Sequence, residues 1–167
     1  GFSRYSTDLR WHVPHFEKML YDNAQLVTLY SEAYQATQKP LYKEIVSETL
    51  EFIAREMTHE NGAFYSSLDA DSETEAGALE EGAFYIYSEE ELKKLLGADY
   101  DTFAKYYNVN ENGYWAEEEA YVLLRLQSDA EMATALNLTP SELQQKKASW
   151  KKTLFEYRNK RTQPRLD

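Results

Sequence analysis

Cysteine is absent from the 167 residues of this chain. That one absence removes disulfides, thiolate metal sites, CxxC redox chemistry and cysteine nucleophiles together. A chain without thiols fits a reducing compartment, and a cytoplasmic protein is the expectation. Glycine and proline are scarce, at 6 and 4 residues, and no GxGxxG, P-loop, GxSxG or HExxH pattern occurs. No apolar run approaches the ~20 residues a membrane-spanning helix needs, so no membrane is expected. Positive charge is the minority, 18 basic against 29 acidic residues, for a net charge of −11. That field repels polyanions and argues against nucleic acid as a partner. His12 and His15 stand three apart across a proline with no third ligand of obvious spacing, so neither a metal nor another cofactor is expected.

Aromatic residues, by contrast, are plentiful. The chain is 43% hydrophobic and carries 14 tyrosines against 7 phenylalanines. A domain of this length buries roughly 70% of its extended-chain surface. Each buried tyrosine hydroxyl wants a partner, so many of these rings are expected at half-wet surfaces and cavity walls. The net negative charge makes polar neutral ligands an easier reading than anionic ones.

Periodicity organises the chain as mainly α with a small β element. From Pro14 to about Thr37 the apolar residues follow a helical spacing, with Pro14 suited to the first turn. Gln38-Lys39-Pro40 breaks the pattern, and a second helix runs from Leu41 to about Thr58. The two form an antiparallel helical hairpin over about 14–58. The repeated GAFY at 62–65 and 82–85 reads as the two arms of a β-hairpin over about 63–88, with an acidic loop between them. Ser88 with Glu91 three residues on is a capping box that opens a short helix. Another short helix covers Asp99–Tyr107, and Tyr121–Leu126 is a candidate strand. Thr139 and Pro140 start a last helix to about Asn159. Its lysines and arginines read as a charge-segregated solvent face.

The run Trp11–Leu26, WHVPHFEKMLYDNAQL, holds the densest mixture of polar and aromatic residues. If it is helical, His15 and Asp22 lie two turns apart on one face, inside the apolar arc together with Asn23. An inward imidazole and carboxylate are costly unless partnered. They belong either to a structural network or to a polar cavity, where imidazole serves acid–base chemistry near neutral pH. Glu17 and Lys18 fall on the outer arc. The acidic loop spaces Asp69, Asp71, Glu73, Glu75 and Glu80 like calcium ligands. Thr74 stands where that loop needs glycine, and the flanks are strands, so an EF-hand is excluded. Asp69 and Asp71 adjoin the first expected strand, a place where a carboxylate can line a cavity mouth as glycosidic acid–base pairs do.

With FSRYSTD, the Trp11–Leu26 run, the REM–GAFYSSLDADSE segment and KRTQPRLD taken together, the chain resembles the thioredoxin-domain-containing YyaL-type family, which includes the spermatogenesis-associated protein 20 group. The resemblance spans nearly the whole chain; Ala63 replaces a usual second glycine, and Tyr87 a common tryptophan. It implies a piece of an (α/α)₆ toroid similar to six-hairpin glycosidases and N-acylglucosamine 2-epimerases, with the β-hairpin inserted on the cavity side. A thioredoxin-like domain would lie outside this chain, and Gly1 and Asp167 read as positions within a longer protein. The fold analogy further implies a carbohydrate ligand, epimerase- or glycosidase-like chemistry at His15, Asp22, Asp69 and Asp71, stacking on Tyr5, Trp11 and Tyr65, and a polar contact from Arg4. A non-catalytic scaffold for the thioredoxin-like domain is the competing expectation. An isolated piece is expected to be inactive and to expose an apolar flank.

Overall fold

The computed structural model describes residues 1–167, which divide into two compact units. One comprises Gly1–Thr7, Pro14–Ala83 and Gln163–Asp167; the other comprises Asp8–Val13 and Phe84–Thr162. The chain is mainly helical with three two-stranded ribbons. No helix is long and apolar enough to cross a membrane.

The first unit is built on two helices, α1 (Leu20–Thr37) and α2 (Pro40–Glu56), packed against one another. Gln38 takes the left-handed conformation at the end of α1, and Pro40 supplies the preset first-turn geometry of α2. Phe52, Met57 and Leu68 are buried together, with Leu20, Ile53 and Leu166 packed on them. Asn23, fully buried, satisfies its whole side chain locally. It accepts from the Phe2 amide at 2.7 Å and donates to the carbonyls of Phe2 (3.1 Å) and Met19 (2.8 Å).

Two sequence expectations change here. Helix α1 begins at Leu20, not Pro14, because the preceding residues are consumed by pairing: Pro14 bridges Ser6, and β1 (Lys18–Met19) pairs antiparallel with β2 (Ser67–Leu68). Nor do the two GAFY segments form a hairpin. The hairpin lies within the acidic loop, as β3 (Asp71–Glu73) against β4 (Leu79–Glu81), turned by the Thr74–Ala78 link with Gly77 at φ 81°.

The second unit has α3 (Glu89–Leu96), α4 (Tyr100–Tyr107), the ribbon β5 (Tyr114–Trp115) with β6 (Ala120–Tyr121), α5 (Asp129–Ala135) and α6 (Pro140–Arg158). Capping boxes start α3 (Ser88–Glu91), α5 (Ser128–Glu131) and α6 (Thr139–Glu142), each worth about 1 kcal/mol. Leu92, Phe103, Leu143 and Trp150 are at most 1% exposed and form the centre of the core. The expected strand at Tyr121–Leu126 shrinks to Ala120–Tyr121, and α5 was not anticipated. Lys147 corrects the reading of α6 as a plain charged face: it is buried and paired with Asp129 at 2.7 Å.

Gly113 ties the β5–β6 ribbon to the Asp8–Val13 loop, accepting from Val122 N and from His12 Nε2, both at 3.0 Å. A Cβ at this position would collide with the Asn108 carbonyl oxygen and approach that of Val122 at 3.2 Å. Backbone oxygens cannot rotate away as a side chain can. Gly113→Ala is therefore expected to destabilise the second unit by about 1–3 kcal/mol, measured as a lowered midpoint in denaturant unfolding.

Candidate functional site

The first unit gathers one polar constellation around His15. The residues before α1 run extended, so His15 sits in a strand-like segment whose amide bonds back to the Tyr5 carbonyl at 2.9 Å. Its Nδ1–H donates to Glu81 Oε1 at 2.7 Å, and the same oxygen accepts the Phe16 amide at 3.0 Å. Glu81 comes from the end of β4. Because a carboxylate only accepts, this bond selects the tautomer protonated on Nδ1 and leaves Nε2 as the reactive nitrogen. Nε2 lies 3.6 Å from Glu17 Oε2. One face of the imidazole is covered by the Tyr5 ring, stacked at 4.9 Å.

Arg4 extends the network onto α1. Its guanidinium meets Glu17 (3.4 Å) and Asp22 (3.3 Å) and donates to the Tyr21 hydroxyl at 2.9 Å. The hydrogen bond to Glu17 raises the Arg4 guanidinium further above its already high value. The side chains of His15, Glu17 and Asp22 retain 26–30% of their exposure. The constellation is thus hydrogen-bonded and still wet. An imidazole held in one tautomer by Glu81, with its second nitrogen facing the part-exposed Glu17 carboxylate, has the groups that proton exchange requires. No group of three or more His, Asp or Glu side chains has metal-holding geometry.

Four of the eight residues singled out from the sequence, Arg4, Tyr5, His15 and Asp22, meet here. His15 and Asp22 do so by a different route from the helical one expected: they share no helix face, and Arg4 and Glu17 lie between them. Asp71 stands directly across the ladder from Glu81, and Asp69 accepts from the Asp71 amide at 3.3 Å. Neither side chain bonds to the constellation. Tyr65 instead sets its ring edge against His59 at 5.9 Å. Trp11 belongs to the second unit, where it is 80% exposed at φ 57° on a loop whose amides at residues 10, 12 and 13 are held by Asp8. Those bonds, the one from Val13 foremost, keep the Asp8 carboxyl below its ordinary range. Sequence reasoning missed Glu81 altogether. The available signal was its place at the end of a strand, the reasoning applied to Asp69 and Asp71.

No protein-family model matches the chain. Over 97 residues it is 50% identical to spermatogenesis-associated protein 20 of Homo sapiens, a match covering 58% of this chain and 12% of that protein. The corresponding Mus musculus protein is 46% identical over the same length. The chain is a homologue of the spermatogenesis-associated protein 20 proteins. A second kind of relative, the uncharacterized protein B0495.5 of Caenorhabditis elegans, is 33% identical over 186 aligned residues, covering 100% of this chain and 25% of that protein. The chain therefore spans a quarter or less of the spermatogenesis-associated protein 20 relatives and of the worm protein that it matches.

Proposed function

We propose that this chain carries part of a carbohydrate-binding, acid–base site within a larger helical toroid. The observation that supports the reading is the His15 arrangement, with the tautomer selected by Glu81, a tyrosine face stacked on the ring, and Nε2 in a solvent-accessible network. In this reading His15 exchanges a proton with a sugar hydroxyl or ring carbon. Glu81 positions the imidazole, while Arg4 and Asp22 bond the flanking hydroxyls and the half-exposed Tyr5 ring packs against a sugar face. Asp71, across the ladder from Glu81, and Asp69, bonded to the Asp71 amide, add carboxylates beside Glu81. The α1–α2 hairpin is one of the toroid's helical pairs, and a thioredoxin-like domain is the partner within the same protein.

A second reading, a non-catalytic scaffold, has its own support: every charged group of the constellation already has a partner within the chain. Glycan-array binding and saturation-transfer NMR on the full-length protein separate the two. The catalytic reading expects a sugar signal that His15→Ala weakens by about tenfold, the loss of a hydrogen bond of ~1.4 kcal/mol, with Asp69→Asn weakening it less. Absence of any sugar signal from the intact protein favours the scaffold.

A further inference from the structure

The chain contains two Asn-Gly pairs, Asn61-Gly62 and Asn112-Gly113, and their surroundings differ sharply. We infer that Asn61-Gly62 is a site of spontaneous deamidation and isoaspartate formation, and that Asn112-Gly113 is protected by the fold. The inference is independent of any sugar chemistry.

In this reaction the backbone nitrogen of the following residue attacks the asparagine side-chain carbon, Cγ. Glycine permits it because no Cβ obstructs the approach and its backbone moves freely. At Asn61 the asparagine and both following residues are exposed. Asn61 Oδ1 accepts the Ala63 amide at 3.0 Å, an Asx turn that folds the carboxamide over the peptide it must react with. The same N–H is in place to stabilise the negative charge that develops on Oδ1 as Gly62 N adds to Cγ. Gly62 lies at φ 87°, and a Cβ built there would meet nothing within 4 Å. The surrounding turn is therefore open to solvent and to rearrangement. One bond opposes the reaction, since the Gly62 amide donates to the His59 carbonyl at 2.8 Å. It lies within an exposed turn, where opening is cheap.

Gly113 is held quite differently. It is buried, its amide donates to Asn110 O at 3.1 Å, and its carbonyl accepts from both Val122 N and His12 Nε2. No donor bonds to Asn112 Oδ1, and the reacting peptide is held by the Gly113 amide while the peptide after it is pinned through the Gly113 carbonyl.

The chemistry balances without an oxidant or reductant. The Gly62 nitrogen gives its proton to solvent as the N–Cγ bond forms. The Cγ–NH₂ bond breaks, and ammonia leaves with a proton from water. Water then opens the succinimide at either carbonyl, to give aspartate or isoaspartate. The isoaspartate form adds a carbon to the backbone inside a turn that closes the Thr58–Phe64 bridge, the His59 N to Ala63 O bond (2.7 Å) and the Tyr65 N to Met57 O bond (2.9 Å). Loosening is therefore expected at the end of α2 and around Tyr65.

The test is to age the intact 167-residue chain at mildly alkaline pH and follow both Asn-Gly peptides by mass spectrometry, with enzymatic methyl transfer to isoaspartate as a second readout. In the folded protein, conversion at Asn61 is expected to run several-fold faster than at Asn112. In strong denaturant the two rates should converge. Equal rates in the folded state would overturn the inference, as would an Asn61 that stays intact when folded while reacting when unfolded. Gly62→Ala should slow conversion at Asn61 by roughly tenfold, folded or unfolded, by removing the permissive backbone, and leave Asn112 unchanged. An unaffected rate would exclude the succinimide route.

Discussion

Asp129→Asn is expected to cost the second unit about 2–3 kcal/mol, below the full range for a buried ion pair because only the Lys147 side of the pair is buried. Asp129 Oδ1 accepts from the Tyr106 hydroxyl at 2.5 Å and from Arg125 at 3.1 Å, while Oδ2 accepts from Lys147 at 2.7 Å and Gln144 at 3.0 Å. Four donors converge on one carboxylate. Asparagine offers a single acceptor oxygen, and its NH₂ must face two of those donors. The Lys147 side chain is only 3% exposed, so it would lose its counter-charge without gaining water. Denaturant unfolding measures the loss, and Asp129→Asn combined with Lys147→Met separates its causes. If the orphaned ammonium dominates, the double variant recovers most of the lost stability; if the double variant is no better than the single one, the cause lies in the Tyr106 and Gln144 bonds.

The same carboxylate makes stability depend on acid. Partial burial pushes the Asp129 carboxyl up, but the hydrogen bonds from Lys147, Tyr106 and Gln144 outweigh it and hold it down at about 2, against an ordinary 3.8. A group depressed in the folded state stabilises fully above its unfolded value and loses that contribution as pH falls through the folded one. The window here is therefore pH 4 down to 2, with an effect on the order of 1 kcal/mol once solvent screening is allowed for. Asp99 acts in the same direction, held down chiefly by its bond to Lys146. Asp129→Asn should flatten this part of the stability profile.

How much of the molecule could be read beforehand depends on how local each signal is. The boxes at Ser88–Glu91 and Thr139–Glu142 are complete within four residues, and both helices start where the sequence placed them. The equivalent Ser128–Glu131 box was equally legible and was overlooked, which is why α5 went unanticipated. Asn23 was correctly turned inward, because its neighbours on α1 set the helical phase. His15 was misplaced because the apolar period runs on through residues that pair with Ser6 and with β2. Those contacts come from elsewhere in the chain, and tertiary pairing overrides local propensity there. The GAFY repeat failed for a related reason. Two similar segments suggest a partnership, yet β3 and β4 are selected by the Thr74–Ala78 turn and by register, neither of which the aromatics report. Lys147 resisted reading because a lysine's burial depends on a carboxylate 18 residues away.

Gly82→Ala carries the second large effect, and it connects stability to the His15 constellation. Gly82 lies at φ 77°, a region costing an ordinary residue about 1–2 kcal/mol. A Cβ there would also come within 2.6–2.9 Å of three Phe16 ring atoms. Phe16 is 4% exposed and cannot yield into solvent. Nor can its backbone retreat freely, because the Phe16 amide bonds to Glu81 Oε1, the oxygen that fixes His15. Overpacking adds about 1–3 kcal/mol, so a loss of about 2–5 kcal/mol is expected for the first unit. Gly77→Ala is the control. It has a similar φ of 81° at the hairpin tip, with only Glu73 Oε1 nearby at 3.7 Å, and should cost about 1–2 kcal/mol from backbone strain alone. Equal losses in the two variants would mean that the Phe16 ring yields easily. A larger loss at Gly82, accompanied by a shifted His15 imidazole resonance absent from Gly77→Ala, would show that the glycine keeps Phe16, Glu81 and His15 in register. The stability of this unit and the tautomer of its candidate base then depend on the same missing side chain.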